Sequence, residues 1–406
     1  MKLQSSHFFD QIKIDRDIDD QFVSTILSEF KPTQKTDDTD LFSIDELEPG
    51  AKIQKDLLLN DYEVKQTKTN KQFLRLSFSH VSGMVQAKMW DNQGAVEKNT
   101  PLLEKHALFT VEGVVDEFNG FKSLTVNRLT PLTNDQDPFT LLPSMNDDSE
   151  SLTIELFHYF DTLNEPYKSI CYQTMRRFWH DFRIVPAAKG FHHNYLGGLL
   201  KHTVGLMRIA HFITHFEKGH VEALLTLIHT VEKYHKKELY SHFQTDVGKL
   251  NQSVFSDTID HLYRMTKEVM KLEPSKPDFD QLITAILFHD LGKMLEYDHA
   301  GKSYDAFRFL YPTASSDHSS KQGGIQMDPY GVMIGHIPYG VLLFTKLLEK
   351  EEIELSLGSI HEISHMILAH HGLPEWGSAV KKPQTINSYL IHIVDYLDSR
   401  YDNVTS

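Results

Sequence analysis

A chain of 406 residues with 24 histidines, a single cysteine and a formal net charge of −15 excludes a disulfide framework and a thiolate-rich metal site. The charge argues against coating nucleic acid by bulk attraction, although a local basic groove stays open. No window approaches the roughly 18 apolar residues of a membrane span, and the opening MKLQSSHFFDQIKIDRD lacks the basic start and apolar run of a signal peptide, so a cytoplasmic location is expected.

Residues 1–46 form an acidic N-terminal extension. A short helix is expected around residues 18–30, then a polar linker, KPTQKTDDTD, with no function legible in either. From 47 to 132 the texture changes to alternating runs, AKIQKDLLL, QFLRLSFSHV, MVQAKMW, ALFTVEGVV and FKSLTVNRL, which predict five strands. A helix-length stretch, QGAVEKNTPLLEKH, falls between the third and fourth, the order of a five-stranded OB-fold β-barrel. Lys52, Lys55, Lys65, Lys68, Lys71, Arg75 and Lys88 outnumber Asp56, Asp61 and Glu63 across the first three strands, so an acidic chain carries a locally basic barrel. Phe73, Phe78 and Trp90 could stack bases of a single strand, with Arg75 and Lys88 as substrate contacts. Phe78 and Trp90 are nevertheless expected to fill the barrel, and a barrel that binds a peptide or another subunit has the same pattern.

Residues 133–150 read as a polar, Pro-containing linker. Residues 151–402 are helical almost throughout, with apolar residues at three- and four-residue spacing, and predict an all-α bundle. The chain is therefore a multidomain α+β protein, a barrel followed by a helical bundle.

Several helices carry histidine or aspartate near the end of an apolar stripe: His202, His289 with Asp290, His336, His370 with His371, and Asp395. Side chains from facing helices converging in a bundle are a common way to build a metal site. An isolated histidine is more simply a buried ring satisfied by a backbone carbonyl, the reading adopted for His211, His229 and His261. FHDLGK, residues 288–293, is sharper, because it joins two ligand types and follows them with Gly292, where another group can approach closely. AHHGLPEWGS, residues 369–378, closes a helix with two adjacent histidines, and Gly372 ends that helix just after them.

The order His, His-Asp, Asp resembles the HD superfamily of metal-dependent phosphohydrolases. A closer resemblance is to the YhaM-type 3′-to-5′ exoribonucleases, which join an OB-fold to an HD domain. It is carried by AKMWD (87–91), PAAKGFHHNYLGGLLKHT (186–203), FHDLGK (288–293), GHI (335–337), HMILAHHGLPEWGS (365–378) and LIHIVDYLDS (390–399), and covers residues 47–400. The chain departs from that pattern in a helical insertion near 216–278, in the loop containing YPTASSDHSSKQGG, in the acidic extension, and in Ala379, where proline is expected.

What the resemblance implies is a first metal site of His202, His289, Asp290 and Asp395, with Asp290 bridging to a second held by His336, His370 and His371. Two divalent ions would activate water for attack on a phosphodiester. Mn²⁺ is favoured by the family, while imidazole and carboxylate ligands also admit Fe²⁺ or Zn²⁺. Asp290 and Lys293 are the catalytic candidates, Lys293 reaching a phosphate oxygen or else lying as a surface lysine at a helix end. His192, His193, Glu375, Trp376 and Ser378 are candidate substrate contacts. His361 and His365 are left out of the ligand set, and Asp398 is the reserve ligand. The leading expectation is a metal-dependent exonuclease on single-stranded RNA, with DNA and a homo-oligomer left open. An HD phosphohydrolase acting on nucleotides or cyclic dinucleotides, and a nucleic-acid-binding or scaffold protein with an inactive HD domain, are the alternatives.

Overall fold

The computed structural model describes residues 1–33, 42–118, 120–132, 138–142, 148–187, 195–245, 255–315, 323–374 and 380–401. The chain opens with an antiparallel hairpin, β1 (Lys2–His7) and β2 (Ile12–Asp17), followed by helix α1 (Asp20–Glu29), whose first turn is capped by Asp19. The helix lies where the sequence predicts one. The hairpin was not anticipated, because its apolar residues are few, but Phe8, Ile12, Ile14, Ile26 and Phe30 all join the core of the helical domain. The first 30 residues are thus a packed part of that domain and not an acidic appendage; the KPTQKTDDTD stretch lies largely outside the described residues.

Five strands form a closed barrel in the order β3-β4-β5-β7-β6: β3 (Lys52–Gln66), β4 (Gln72–His80), β5 (Gly83–Trp90), β6 (Leu108–Phe118) and β7 (Phe121–Pro131). Helix α2 (Ala95–Lys105) lies between β5 and β6. A register shift between Leu59 and Asp61 lets the long β3 pair with β6 along one half and with β4 along the other. Alternation then decides what is inside: Leu74, Leu76 and Phe78 point into the barrel, while Arg75 on the same strand is exposed. This is an OB-fold barrel, as the strand and helix order predicts.

Helices α3 (Ser149–Asp161), α4 (Tyr167–Phe182), α5 (Gly198–Thr214), α6 (His220–Thr245), α7 (Phe255–Lys271) and α8 (Phe279–His289) follow. After short α9 (Lys293–Glu296), the two-residue strands β8 (Tyr297–Asp298) and β9 (Gln326–Met327) pair around α10 (Asp305–Leu310). The chain then runs through α11 (Gly331–Ile334), α12 (His336–Lys350), α13 (Leu357–Ala369) and α14 (Ile386–Tyr401). Helix α8 is apolar all round, LITAILF, and so lies in the middle, against α4, α5, α12, α13 and α14. The α6–α7 pair occupies the segment read as an insertion, and Leu262, Met265 and Val269 of α7 join the same core.

Barrel and bundle meet through apolar residues. Leu58 and Leu108, which face out of the barrel, pack with Leu141, Leu142, Ile184, Leu196, Ala300 and Ile325. Leu141 and Leu142 come from the stretch expected to be a polar linker, so part of it is a packed seam. Gly324 donates its N–H to the Leu59 carbonyl at 3.1 Å, which ties the strand edge to the segment leading into β9.

Candidate metal centre

Each candidate ligand stands where a helix begins, ends or faces α8. His289 closes α8 and Asp290 is its C-cap; His336 opens α12; His370 is the C-cap of α13; His202 sits early in α5 and Asp395 in the middle of α14. The turn after α8 is tight, and a Cβ on Gly292 would fall 2.1 Å from the His336 carbonyl oxygen. That close approach brings the starts of α9 and α12 together, as the glycine in FHDLGK suggests. Gly372, at φ +83°, ends the double-histidine turn, and its face lies against the His392 ring, leaving no room for a side chain.

Ligand-type atoms of His202, His289 and Asp395 lie within 4.8 Å of one another; so do those of His336, His370 and His371, and those of His289, Asp290 and His370. Asp290 stands between the first two groups and offers each a different oxygen. Its Oδ2 lies 3.4 Å from His289 Nε2 and 3.6 Å from His202 Nε2, and its Oδ1 lies 3.6 Å from His336 Nε2 and 3.9 Å from His370 Nε2. His202 Nε2 is also 3.2 Å from Asp395 Oδ1.

The far nitrogens of these rings are held from behind. His289 Nδ1 donates to the Ile286 carbonyl at 2.6 Å and His370 Nδ1 to the Ile367 carbonyl at 2.7 Å. His202 Nδ1 is 2.7 Å from Asp398 Oδ2, and His336 Nδ1 is 2.7 Å from Glu296 Oε2. A carbonyl accepts only from an N–H, so Nδ1 of His289 and His370 carries the proton and the Nε2 lone pair faces inward. His289 Nε2, His336 Nε2, His370 Nε2 and Asp290 Oδ1 are buried and have no hydrogen-bond partner among the described residues. Rings oriented from outside, with lone pairs converging on buried and unmet positions, are the donor set that a divalent cation satisfies.

Electrostatics agree with that reading. Burial lowers His289 to about 4, holds His370 well below its ordinary value and lowers His371, so these rings are neutral at pH 7 and ready to donate. Burial opposes charge on His202 too, but Asp395 and Asp398 outweigh it and raise the ring to about 10. Burial disfavours ionised Asp290, yet Lys293 and the surrounding histidines prevail and hold its carboxyl well below the usual range.

Lys293 is no surface lysine. Its side chain is 12% exposed, and its ammonium donates to Asp290 Oδ2 and to the Ala187 carbonyl. Asp398, the reserve ligand, contacts the back of the His202 ring. His365 accepts from the Gln384 N–H, away from the cluster. The carbonyl-satisfied reading of three other histidines is not what the structure has: His211 stacks on His215, His229 is exposed beside Glu232, and buried His261 meets His392 at 2.7 Å. His192, His193, Glu375, Trp376 and Ser378 lie outside the described residues. Arg75 and Lys88 are cross-strand neighbours on the barrel and take no part in the cluster. Lys88 is paired with Asp116 at 2.6 Å, which offsets part of the basic excess. Trp90, expected inside the barrel, is 37% exposed, with Phe73 at 5.3 Å between ring centroids and Lys88 over its face; Phe78 is fully buried. Glu296 was missed altogether, having no signal beyond its place three residues after Lys293.

A family model described as "HD domain" matches residues 258–400, which include every member of the cluster except His202. The chain is 22% identical over 356 residues to a protein named 3′-5′ exoribonuclease YhaM of Bacillus pumilus, covering 86% of each chain. The protein of that name from Listeria welshimeri is 23% identical over 360 residues, with 87% of each covered, and that of Bacillus subtilis 22% over 361, with 87% of this chain and 86% of the relative. The chain carries an HD domain and resembles YhaM-type proteins along most of its length. HD domains are a fold of metal-dependent phosphohydrolases, and the chain is a hydrolase of that class. Among the described residues no helix is long and apolar enough to cross a membrane.

Proposed function

We propose that the protein is a metal-dependent 3′-to-5′ exoribonuclease that hydrolyses single-stranded RNA to nucleoside monophosphates. The observation that carries the hydrolytic site is Asp290, whose two oxygens face two histidine groups, with the Nε2 lone pairs of His289 and His370 turned inward. The choice of RNA and the direction of digestion rest on the names of the relatives.

In this reading His202, His289, Asp290 and Asp395 hold one divalent ion, and Asp290, His336, His370 and His371 hold a second, with Mn²⁺ favoured. Such ions supply a nucleophile from water at neutral pH and offset charge on the phosphoryl oxygens. Asp290 keeps both groups in register. Lys293, fixed by Asp290 and the Ala187 carbonyl, keeps a positive charge at the edge of the cluster for a non-bridging phosphate oxygen. Phe73 and Trp90, flanked by Arg75 and Lys88, offer a stacking surface for bases upstream of the scissile bond.

The test is 5′-labelled single-stranded RNA incubated with the protein and Mn²⁺. A ladder that shortens from the 3′ end and disappears in Asp290→Ala supports the reading. Intact RNA alongside hydrolysed nucleotides or cyclic dinucleotides moves the activity to that substrate class. No hydrolysis of any of these sinks both.

A further inference from the structure

The amino-terminal hairpin reaches the back of the cluster. His7, the last residue of β1, is buried, and its Nε2 lies 3.2 Å from Oδ1 of Asp398. The other oxygen of the same carboxylate meets His202 Nδ1 at 2.7 Å. His7, Asp398 and His202 thus form a continuous chain from the hairpin to a ring that faces Asp290 and Asp395. A fully buried carboxylate is costly unless its charge is met; His202 meets one oxygen within hydrogen-bonding distance, and His7 faces the other at ion-pair distance.

The backbone beside His7 is strained. Phe8, Phe9 and Asp10 follow with φ of 50°, 55° and 59°, three successive left-handed residues without a glycine. L-residues disfavour that region, so the turn persists only because its surroundings hold it. Those surroundings are α14 itself: Phe8 and Phe9 pack on Tyr401, one turn beyond Asp398, with ring centroids 6.2 and 5.5 Å away. Ile12 and Ile14 anchor the returning strand in the core. Strain and packing therefore converge on His7, which reaches Asp398 from the hairpin.

We propose that His7 is a positioning residue for the metal cluster, fixing the Asp398 carboxylate that in turn orients the His202 imidazole. The inference rests on His202 being a metal ligand, as in the proposed function. Its consequence is that residues ahead of the barrel tune one half of the cluster, the half built on His202, and leave the half built on His336 and His371 alone.

Two variants of the full chain test it, with Mn²⁺ binding to EDTA-treated protein followed by the electron paramagnetic resonance signal of the free ion. His7→Gln keeps an N–H donor of similar reach, and His7→Phe fills the same space without one. The expected result is two ions on the wild type and on His7→Gln, and on His7→Phe one ion weakened about tenfold with the other unchanged, the scale of removing an outer partner of a ligand histidine. Melting temperatures of the metal-free proteins identify any loss of folding. Wild-type affinity for both ions in a folded His7→Phe overturns the role of His7 while leaving the exoribonuclease reading intact, as does equal weakening of both ions. RNA left uncut by a wild type that holds two ions overturns the function and leaves His7 in place. A wild type that takes up no Mn²⁺ overturns both.

Discussion

Glu296 Oε2 lies 2.7 Å from Nδ1 of His336 and holds that ring with Nε2 turned toward Asp290. Glu296→Ala should therefore loosen one metal position by about 10- to 100-fold, with a smaller effect in Glu296→Gln, which keeps an acceptor. Mn²⁺ titration checks this. Equal affinities in wild type and Glu296→Ala would leave the ring oriented by packing alone.

Asp290→Asn should lower RNA hydrolysis by about 10²- to 10³-fold or more, since it removes the charge shared by both histidine groups. Bound metal should fall from two ions to one or none by elemental analysis. His371→Ala should lose only one ion, whereas an unchanged count would reduce the double histidine to a helix ending.

Metal affinity should rise with pH. The His202 ring, raised to about 10 in the metal-free fold, keeps its proton at neutral pH, while the unfolded chain releases it near ~6.5. The metal-free fold thus has the full benefit of this contact below about pH 6.5 and loses it as pH rises through about 10. An ion must displace that proton, so affinity should climb about tenfold per pH unit across neutral pH. The gap in melting temperature between Mn²⁺-loaded and EDTA-treated protein should widen from pH 7 to 8.5, and a constant gap contradicts this account.

Gly292→Ala places a methyl group against the His336 carbonyl and should destabilise the fold by about 1–3 kcal/mol while displacing the start of α12. Denaturant midpoints measure the first effect, and loss of one bound ion reports the second.

Replacing both Phe73 and Trp90 with alanine should raise KM for long single-stranded RNA about tenfold or more and leave kcat on a dinucleotide unchanged, because stacking contributes on the order of 1–3 kcal/mol per base. Equal losses on both substrates would assign the pair to barrel stability.

Local pattern made much of this molecule legible. Alternation along QFLRLSFSH determines a strand with Leu74, Leu76 and Phe78 inward, and the all-apolar LITAILF determines a central helix that delivers His289 and Asp290 at its end. Trp90 was misjudged against its own alternation: Val85, Ala87 and Met89 face inward, so period two puts Trp90 on the outer face with Gln86 and Lys88.

By itself the sequence determined a barrel followed by a helical bundle and the ligand types at the helix ends, because periodicity and side-chain chemistry are properties of neighbours along the chain. The tertiary structure alone decided which nitrogen of each ring faces inward, that Glu296 and Asp398 stand behind His336 and His202, that Lys293 turns in to Asp290 and the Ala187 carbonyl, and that the hairpin carrying His7 belongs to the core. The contacts of Glu296 with His336, of Asp398 with His202 and His7, and of Lys293 with Ala187 join residues from 40 to nearly 400 positions apart, and only packing brings them together.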